Sequence, residues 1–357
     1  MSELFLDANA HLPVCSAAMA KYIAVNNSRA GHGHAMSPSV PGREASNLIE
    51  ESRNKIAKLL GAKSSNQIIF TSTCTEACEW GLYILSEISS KFNIYYSPTE
   101  HPAVKQAADK YFPNINILPI DENGVIKTNE LKDCKSVICI YVQNEIGIIQ
   151  PIEDIISDVL FSDMSQSPGK VEFNLSSLPI DIATFGAHKF GGPCSVGILY
   201  LKTPEYWREF GTGSRYFMDR PGTPNAAAIA ATAIALEEAL KTMPERLERM
   251  IEFRDILEPG IKDMGFKIVA ENANRCPNTT FVHMPEKGMT TMLNLGKRKV
   301  HVGLGSACGS AYTGSSPLMT ALGWGGGPHD YMRISQFGEY ASKEAKLFLD
   351  QFQKCII

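Results

Sequence analysis

The sequence predicts an α/β fold, with a large domain built on a mostly parallel sheet flanked by helices and a smaller α+β domain at the C-terminal end. Three observations carry this expectation. Short β-rich runs alternate with helical patterns over the first two thirds of the chain, as repeated strand–helix–strand units require. Residues 136–142 (Ser-Val-Ile-Cys-Ile-Tyr-Val) form a continuous apolar run of the kind buried on both faces of a parallel sheet. Composition then shifts near residue 240, where Met243-Pro244 interrupts a long helical stretch. The length of 357 residues suits about two domains.

Taken in order, residues 67–70 read as a strand, followed by a helix from about Thr75 to Ile88. Residues 93–96 form another strand, and His101 opens a helix running to about Tyr111. Strand-like runs recur at 136–142, 159–161, 180–184 and 196–201. The charged pattern from Glu245 to Asp263 reads as a connecting helix. Beyond it come strand-like pieces at 266–269 and 280–283, a glycine-rich loop at 303–314, and a final helix ending near Phe352. The expected division is 13–243 for the large domain, with 1–12 and 244–357 forming the smaller one.

Composition excludes several classes. Lys plus Arg (34) nearly balances Asp plus Glu (38), and a net charge of −4 offers no field for nucleic acid. No apolar run approaches the roughly 18 residues of a membrane helix, and the acidic start Met-Ser-Glu lacks a basic leader region. The nine cysteines are scattered without a Cys-x-x-Cys pair, so neither a zinc ribbon nor a dithiol motif is signalled and no metal site is expected. Reduced thiols in apolar stretches, such as Cys139, fit a reducing cytoplasm.

Three segments carry chemistry. In Ala183-Thr-Phe-Gly-Ala-His188-Lys189-Phe-Gly-Gly-Pro193, a lysine leaves a strand into a Gly-Gly-Pro turn. Alone it reads as a solvated loop lysine, but a strand-terminal lysine can also form a Schiff base with a carbonyl cofactor. Asp163 follows the apolar strand at 159–161 and so lies at the carboxyl edge of a parallel sheet, where such folds bind ligands. Alone it reads as a helix cap. Paired with the lysine 26 residues later, it suits pyridoxal phosphate, because a carboxylate keeps the pyridine nitrogen protonated. Thr73 and Glu76 have capping-box spacing between a strand and a helix, and the same helix N-terminus offers N–H groups for a phosphate.

With these residues in place, the chain resembles the cysteine desulfurases, class V aminotransferase relatives with the fold-type I pyridoxal-phosphate architecture. Eleven motifs carry the resemblance in family order over almost the whole chain: Leu6-Asp-Ala-Asn9-Ala10, Gly42-Arg-Glu-Ala45, residues 71–77, Glu100-His101-Pro-Ala-Val104, Asn144-Glu-Ile-Gly-Ile-Ile-Gln-Pro151, residues 163–166, His188-Lys189, Arg220-Pro-Gly-Thr223, Pro277-Asn-Thr279, Gly305-Ser-Ala-Cys308 and Met332-Arg-Ile-Ser335.

The resemblance implies a set of roles. Lys189 holds the cofactor covalently, Asp163 pairs with its pyridine nitrogen, and Gln166 and Asn144 hydrogen-bond the phenolic oxygen and its surroundings. His101 stacks on the ring and moves protons. Cys74, Thr75 and His188 surround the phosphate, together with Thr223 from a partner subunit, which implies a homodimer. Arg333, with Asn9 and Asn144, receives the substrate carboxylate, a role suited to a guanidinium fork. Cys308, in the small-residue stretch 305–316 expected to be a mobile loop, takes the sulfur as a persulfide for transfer to an acceptor protein. The implied activity is removal of sulfur from L-cysteine, yielding L-alanine. The alternatives are another pyridoxal-phosphate aminotransferase or lyase of the same class, and a degenerate non-catalytic partner of a sulfur system.

The chain also departs from the family pattern. Gly186 stands where a phosphate-binding serine is usual, Cys74 replaces a small residue, and Cys78 follows one turn later. The stretch 211–215 is altered too. Only 13 steps separate Gln150 from Asp163, near the minimum of about 10–12 for a parallel crossover, so the helix there is expected to be short or lost.

Overall fold

The computed structural model describes residues 3–89, 93–131, 134–305, 317–324 and 326–356. Strand β1 (Leu4–Leu6) leads into three helices, α1 (Ser16–Asn26), α2 (Arg29–His32) and α3 (Val40–Leu60). Strand β2 (Ile68–Thr71) is followed by α4 (Cys74–Ile88), and β3 (Ile94–Tyr96) by α5 (Pro102–Tyr111). Strands β4 (Asn116–Ile117), β5 (Ser136–Ile138), β6 (Val159–Asp163), β7 (Ile182–Gly186) and β8 (Gly197–Leu201) come next. Helices α6 (Ala226–Lys241) and α7 (Met243–Asp263) precede β9 (Lys267–Ile268), β10 (Thr279–His283), α8 (Gly288–Lys297), β11 (Val300–Val302), α9 (Pro317–Ala321), β12 (Tyr331–Ser335) and α10 (Ser342–Gln353).

The main sheet has the order β2-β8-β7-β6-β5-β3-β4. Pairs β7–β6, β6–β5, β5–β3 and β3–β4 are parallel, and β8 runs antiparallel to both β7 and β2. It is therefore the expected mostly parallel sheet, with one reversed strand. Alternate side chains feed two cores, following the period of two along a strand. Phe70, Val137, Leu160, Phe185 and Ile198 face α3 and α6, whereas Ile69, Ile138, Phe161, Ile182 and Leu199 face α4 and α5. Gly81 lets α4 approach the sheet, since a Cβ there would sit 2.8 Å from the Phe161 ring. The alanine-rich face of α6 packs on α1 and α3.

One expectation changes in detail and another holds. The apolar run 136–142 is strand only over Ser136–Ile138; the rest is buried loop that crosses the sheet edge and carries Asn144. The shortened crossover contains no α-helix, only a 3-10 turn at Ile152–Asp154, because the chain there is too short for more. The C-terminal part has a three-stranded antiparallel sheet, β12-β10-β9, and β1 pairs in parallel with β11. The N-terminus thus joins the C-terminal elements through Leu4 and Leu6, which pack with Phe253, Val282, Met332 and Phe348.

One buried ion pair ties α3 to the main sheet. The Arg53 guanidinium donates to Asp219 Oδ1 and Oδ2 at 2.9 and 2.7 Å and to the Ile68 carbonyl at 2.8 Å. Asp219 also accepts from the Phe70 N–H at 2.7 Å. Both ionic side chains are essentially sealed, at 0% and 2% exposure. Removing Asp219 leaves the buried guanidinium with only the more exposed Glu50, 3.2 Å from its Nε, a loss of up to about 3–5 kcal/mol. Asp219→Ala should therefore lower the unfolding free energy by about that amount, read from the urea midpoint; a midpoint equal to the parent's would refute the assignment.

Candidate active site

Strands β2, β3, β5, β6 and β7 point the same way, so their carboxyl ends share one edge. Five sequence-predicted groups gather there: the α4 N-terminus after β2, His101 after β3, Asn144 after β5, Asp163 at the end of β6 and Lys189 after β7. Open α/β sheets bind ligands at this edge.

A cavity of about 190 Å³ lies at the edge, lined by Asn9, Cys74, Thr75, His101, Asn144, Asp163, Gln166, His188, Lys189 and Arg333, with Ala10, Cys78, Ala103, Ile140 and Ser165 completing the wall. Every expected site residue is brought together except two. Thr223 is exposed and lines a separate groove with Arg220, Gly222 and Glu76, and Cys308 falls outside the described residues. A wider, open hollow of about 520 Å³ near Lys58 and Lys63 is lined by no histidine, cysteine or carboxylate.

The α4 N-terminus is capped, but not reciprocally. Thr73 Oγ1 accepts from the Glu76 N–H at 3.1 Å, while Glu76 Oε2 turns to the Ser72 N–H and hydroxyl, both at 2.6 Å. The capping box expected from Thr73 and Glu76 is therefore half formed, because Ser72 competes for the carboxylate. Arg220 donates to its other oxygen at 3.2 Å, docking the loop before Thr223 against this helix end. The first backbone bond within the helix runs from Ala77 N–H to Thr73 O, which leaves the N–H groups of Cys74 and Thr75 toward the cavity.

Lys189 sits in a 3-10 turn directly after β7. Its ammonium donates to the carbonyls of Asn9 and Ala10, each at 2.7 Å. Asp163 keeps one oxygen on the Ser165 N–H at 2.9 Å. His101 caps α5, its Nδ1 accepting from the Ala103 N–H at 3.1 Å, so the neutral ring carries its proton on Nε2. Burial lowers the pKa of His101, with Lys189 and Arg333 acting in the same direction against Asp163. Burial, reinforced by Lys189, lowers that of His188 to about 3.

Arg333 is 1% exposed; it donates to Asp7 Oδ1 at 2.6 Å and to the Asn144 carbonyl at 3.1 Å. Its Nε and the Asn144 side-chain oxygen are buried without a partner among the described residues. An orphaned donor and an orphaned acceptor beside one cavity mark a place where a polar ligand completes the bonding.

The thiols differ from one another. Cys74 Sγ lies 2.9 Å from Ser165 Oγ and 3.9 Å from Cys78 Sγ. Hydrogen bonding to Cys74, then burial, push the Cys78 thiol well up, which holds it protonated and unreactive. Cys74, Cys78 and Asp163 place one potential ligand atom each within 4.8 Å of one another. Two departures from the family pattern also meet here. A Cβ at Gly186 would sit 3.2 Å from Cys74 Cβ and 3.1 Å from the His188 ring, so the two altered positions are direct neighbours.

Three site residues escaped the sequence reading of roles: Asp7, Ser165 and Lys170. Asp7 and Ser165 lay inside recognised motifs without a stated part. Lys170, four residues after Gln166, looked like any loop lysine, since nothing local reveals its burial.

The comparisons with known proteins agree with this geometry. The family model described as aminotransferase class-V matches residues 4–345. Cysteine desulfurase IscS of Dictyoglomus turgidum is 34% identical over 303 residues, covering 79% of this chain and 76% of that one. Cysteine desulfurase NifS of Azotobacter vinelandii is 29% identical over 301 residues, with 79% and 75% covered. A solved NifS-like protein superposes with a TM-score of 0.87 at 29% identity, covering 99% of each chain. With the family model matched over residues 4–345 and these relatives over most of the chain, the chain belongs to the aminotransferase class-V family, among its cysteine desulfurases.

Proposed function

We propose that this enzyme removes sulfur from L-cysteine with pyridoxal phosphate held in the 190 Å³ cavity, giving L-alanine and a persulfide on Cys308. The single observation that carries the reading is the pairing of Lys189 with Asp163 on one cavity at the sheet edge. The donor set fits the cofactor. An amine stands ready for its aldehyde, a carboxylate for its pyridine nitrogen, and the helix N-terminus of α4 with neutral His188 for its phosphate. The orphaned Arg333 Nε suits a substrate carboxylate.

When bound, the cofactor supplies an electron sink for the pairs released at the substrate's Cα and C–S bonds. The chain's own residues do the rest. Asp163 keeps the pyridine nitrogen protonated, and Gln166 and Asn144 orient the ring. Lys189 would take the Cα proton, and His101, uncharged and carrying its proton on Nε2, would pass protons within the same cavity. The Cys308 thiolate attacks the substrate sulfur; the S–S bond forms as the C–S bond breaks, and a proton on the carbon side completes alanine.

Support for the Cys308 role comes from the last described residues before it. Gly303 pairs with Arg333 through both backbone hydrogen bonds, and a Cβ on it would sit 2.6 Å from Asp7 Oδ1. Gly305, two residues on, lies beside Glu145 and the Phe281 ring, and Cys308 follows it in the chain.

The reading extends to a cytoplasmic homodimer, in which Thr223 of each chain completes the other's phosphate cradle, and to transfer of the sulfur to an acceptor protein. The exposed position of Thr223, outside its own chain's cavity, supports the first. The larger unit is 13–243 and the smaller 1–12 with 244–357. Among the described residues no helix is long and apolar enough to cross a membrane.

Three outcomes test the proposal. Borohydride reduction of the cofactor-loaded protein, followed by peptide mapping, should place the pyridoxyl group on Lys189; a label elsewhere sinks the assignment. Cys308→Ser should bind cofactor as the parent does yet release alanine and sulfide slower by orders of magnitude, because a serine hydroxyl stays protonated and attacks sulfur poorly. Parental turnover by that variant would end the mechanism. Finally, the folded pKa of His188 (about 3) lies below its unfolded value near 6.5. Between these values the unfolded chain binds a proton that the native one does not, so stability falls as pH falls through that window. His188→Gln in the cofactor-free protein should flatten this acid-side loss, measured as unfolding midpoints from pH 6.5 down to 4.

A further inference from the structure

Lys170 is 1% exposed and, among the described residues, is the only buried lysine and pairs with no carboxylate. Its ammonium donates instead to two amide oxygens, Asn9 Oδ1 at 3.2 Å and Gln166 Oε1, and sits 5.7 Å from the Phe337 ring centre. A lysine only donates. Both amide oxygens must therefore face it, and both amide NH2 groups must face away.

The two amides are not equally dependent on Lys170. Asn9 Oδ1 also accepts from Asn278 Nδ2 at 2.9 Å, and Asn9 Nδ2 donates to Thr279 Oγ1 at 2.8 Å and to the Asn144 carbonyl at 3.2 Å. Its orientation is held without the lysine. Gln166 Oε1 has Lys170 as its one donor among the described residues. Gln166 Nε2 gives one hydrogen to the Asn9 carbonyl at 2.9 Å. Its second hydrogen remains, on a side chain that lines the cavity.

We propose that Lys170 is a positioning residue: by holding the oxygen of Gln166 it fixes that amide with an N–H presented to the phenolic oxygen of the cofactor. This rests on the cavity being the pyridoxal-phosphate site. Burial, helped by Lys189 and Arg333, lowers the pKa of Lys170 to about 7. The amine keeps hydrogens to donate in either protonation state, so the orientation survives loss of the charge.

The test compares Lys170→Met, Lys170→Gln, Gln166→Ala and the double variant Lys170→Met/Gln166→Ala, each titrated with pyridoxal phosphate from the cofactor-free state. Lys170→Met keeps the volume and removes the donor. It should bind cofactor roughly tenfold more weakly, about one hydrogen bond, and shift the absorption of the loaded protein toward its short-wavelength band. Gln166→Ala should shift the spectrum likewise, and Lys170→Met should add nothing in the Gln166→Ala background. Lys170→Gln, which keeps a donor, should restore the parental band. An unchanged spectrum and affinity in Lys170→Met, or effects that add in full in the double variant, would overturn the proposal. Should Lys170→Met fail to fold, Lys170→Gln decides, supporting the proposal if its spectrum matches the parent and overturning it if it matches Gln166→Ala. A parent that takes up no pyridoxal phosphate at Lys189 would instead overturn the assignment of the cavity.

Discussion

The carbonyl oxygen of Asn9 is the point on which the site turns. It accepts from the Lys189 ammonium at 2.7 Å and from Gln166 Nε2 at 2.9 Å. Its side chain reaches Thr279, Asn278, Asn144 and Lys170. One residue of the N-terminal segment thereby joins the main sheet's edge to strand β10 and the turn before it. Each of these partners is 8% exposed or less, apart from the half-buried Lys189, and a buried polar group left unpaired is costly. The network therefore holds one arrangement, and the N-terminal segment is part of the site although it lies 180 residues from Lys189.

The sheet explains why these groups can meet. Parallel strands bring their carboxyl ends to one edge, so loops far apart in sequence converge on the same cavity. The shortened crossover between Gln150 and Asp163 is accommodated by a 3-10 turn, and β6 still pairs in register with β5 and β7. Asp163 consequently keeps its place at the end of β6. The glycine at 186 adjoins the cysteine at 74 and the His188 ring, so two departures from the family pattern fall side by side next to the cavity.

Burial and pairing set which groups of the cavity are charged. Lys189 and Arg333 stand near it, while burial keeps His101 and His188 uncharged and lowers the pKa of Lys170. Extra positive charge is suppressed where it would have no partner; Arg333 is paired with Asp7, and Lys189 stands against the Asp163 carboxylate. Protonation of Cys78 likewise removes a nucleophile from the cavity wall.

Much of this was legible in the chain itself. The alternation of strand and helix patterns set the fold class, because buried parallel strands need continuous apolar runs. Lys189, Asp163, His101 and the α4 N-terminus announced themselves because each stands at a strand end, where period and punctuation change. The tertiary structure alone decided the rest. Only folding could bury Lys170 and give it amide partners, split the Glu76 cap in favour of Ser72, and direct Arg333 to Asp7. Those outcomes depend on which segments become neighbours across hundreds of residues, and local pattern holds no record of such contacts. The sequence determined which groups could do chemistry; the packing determined which of them are charged, which are oriented and by what.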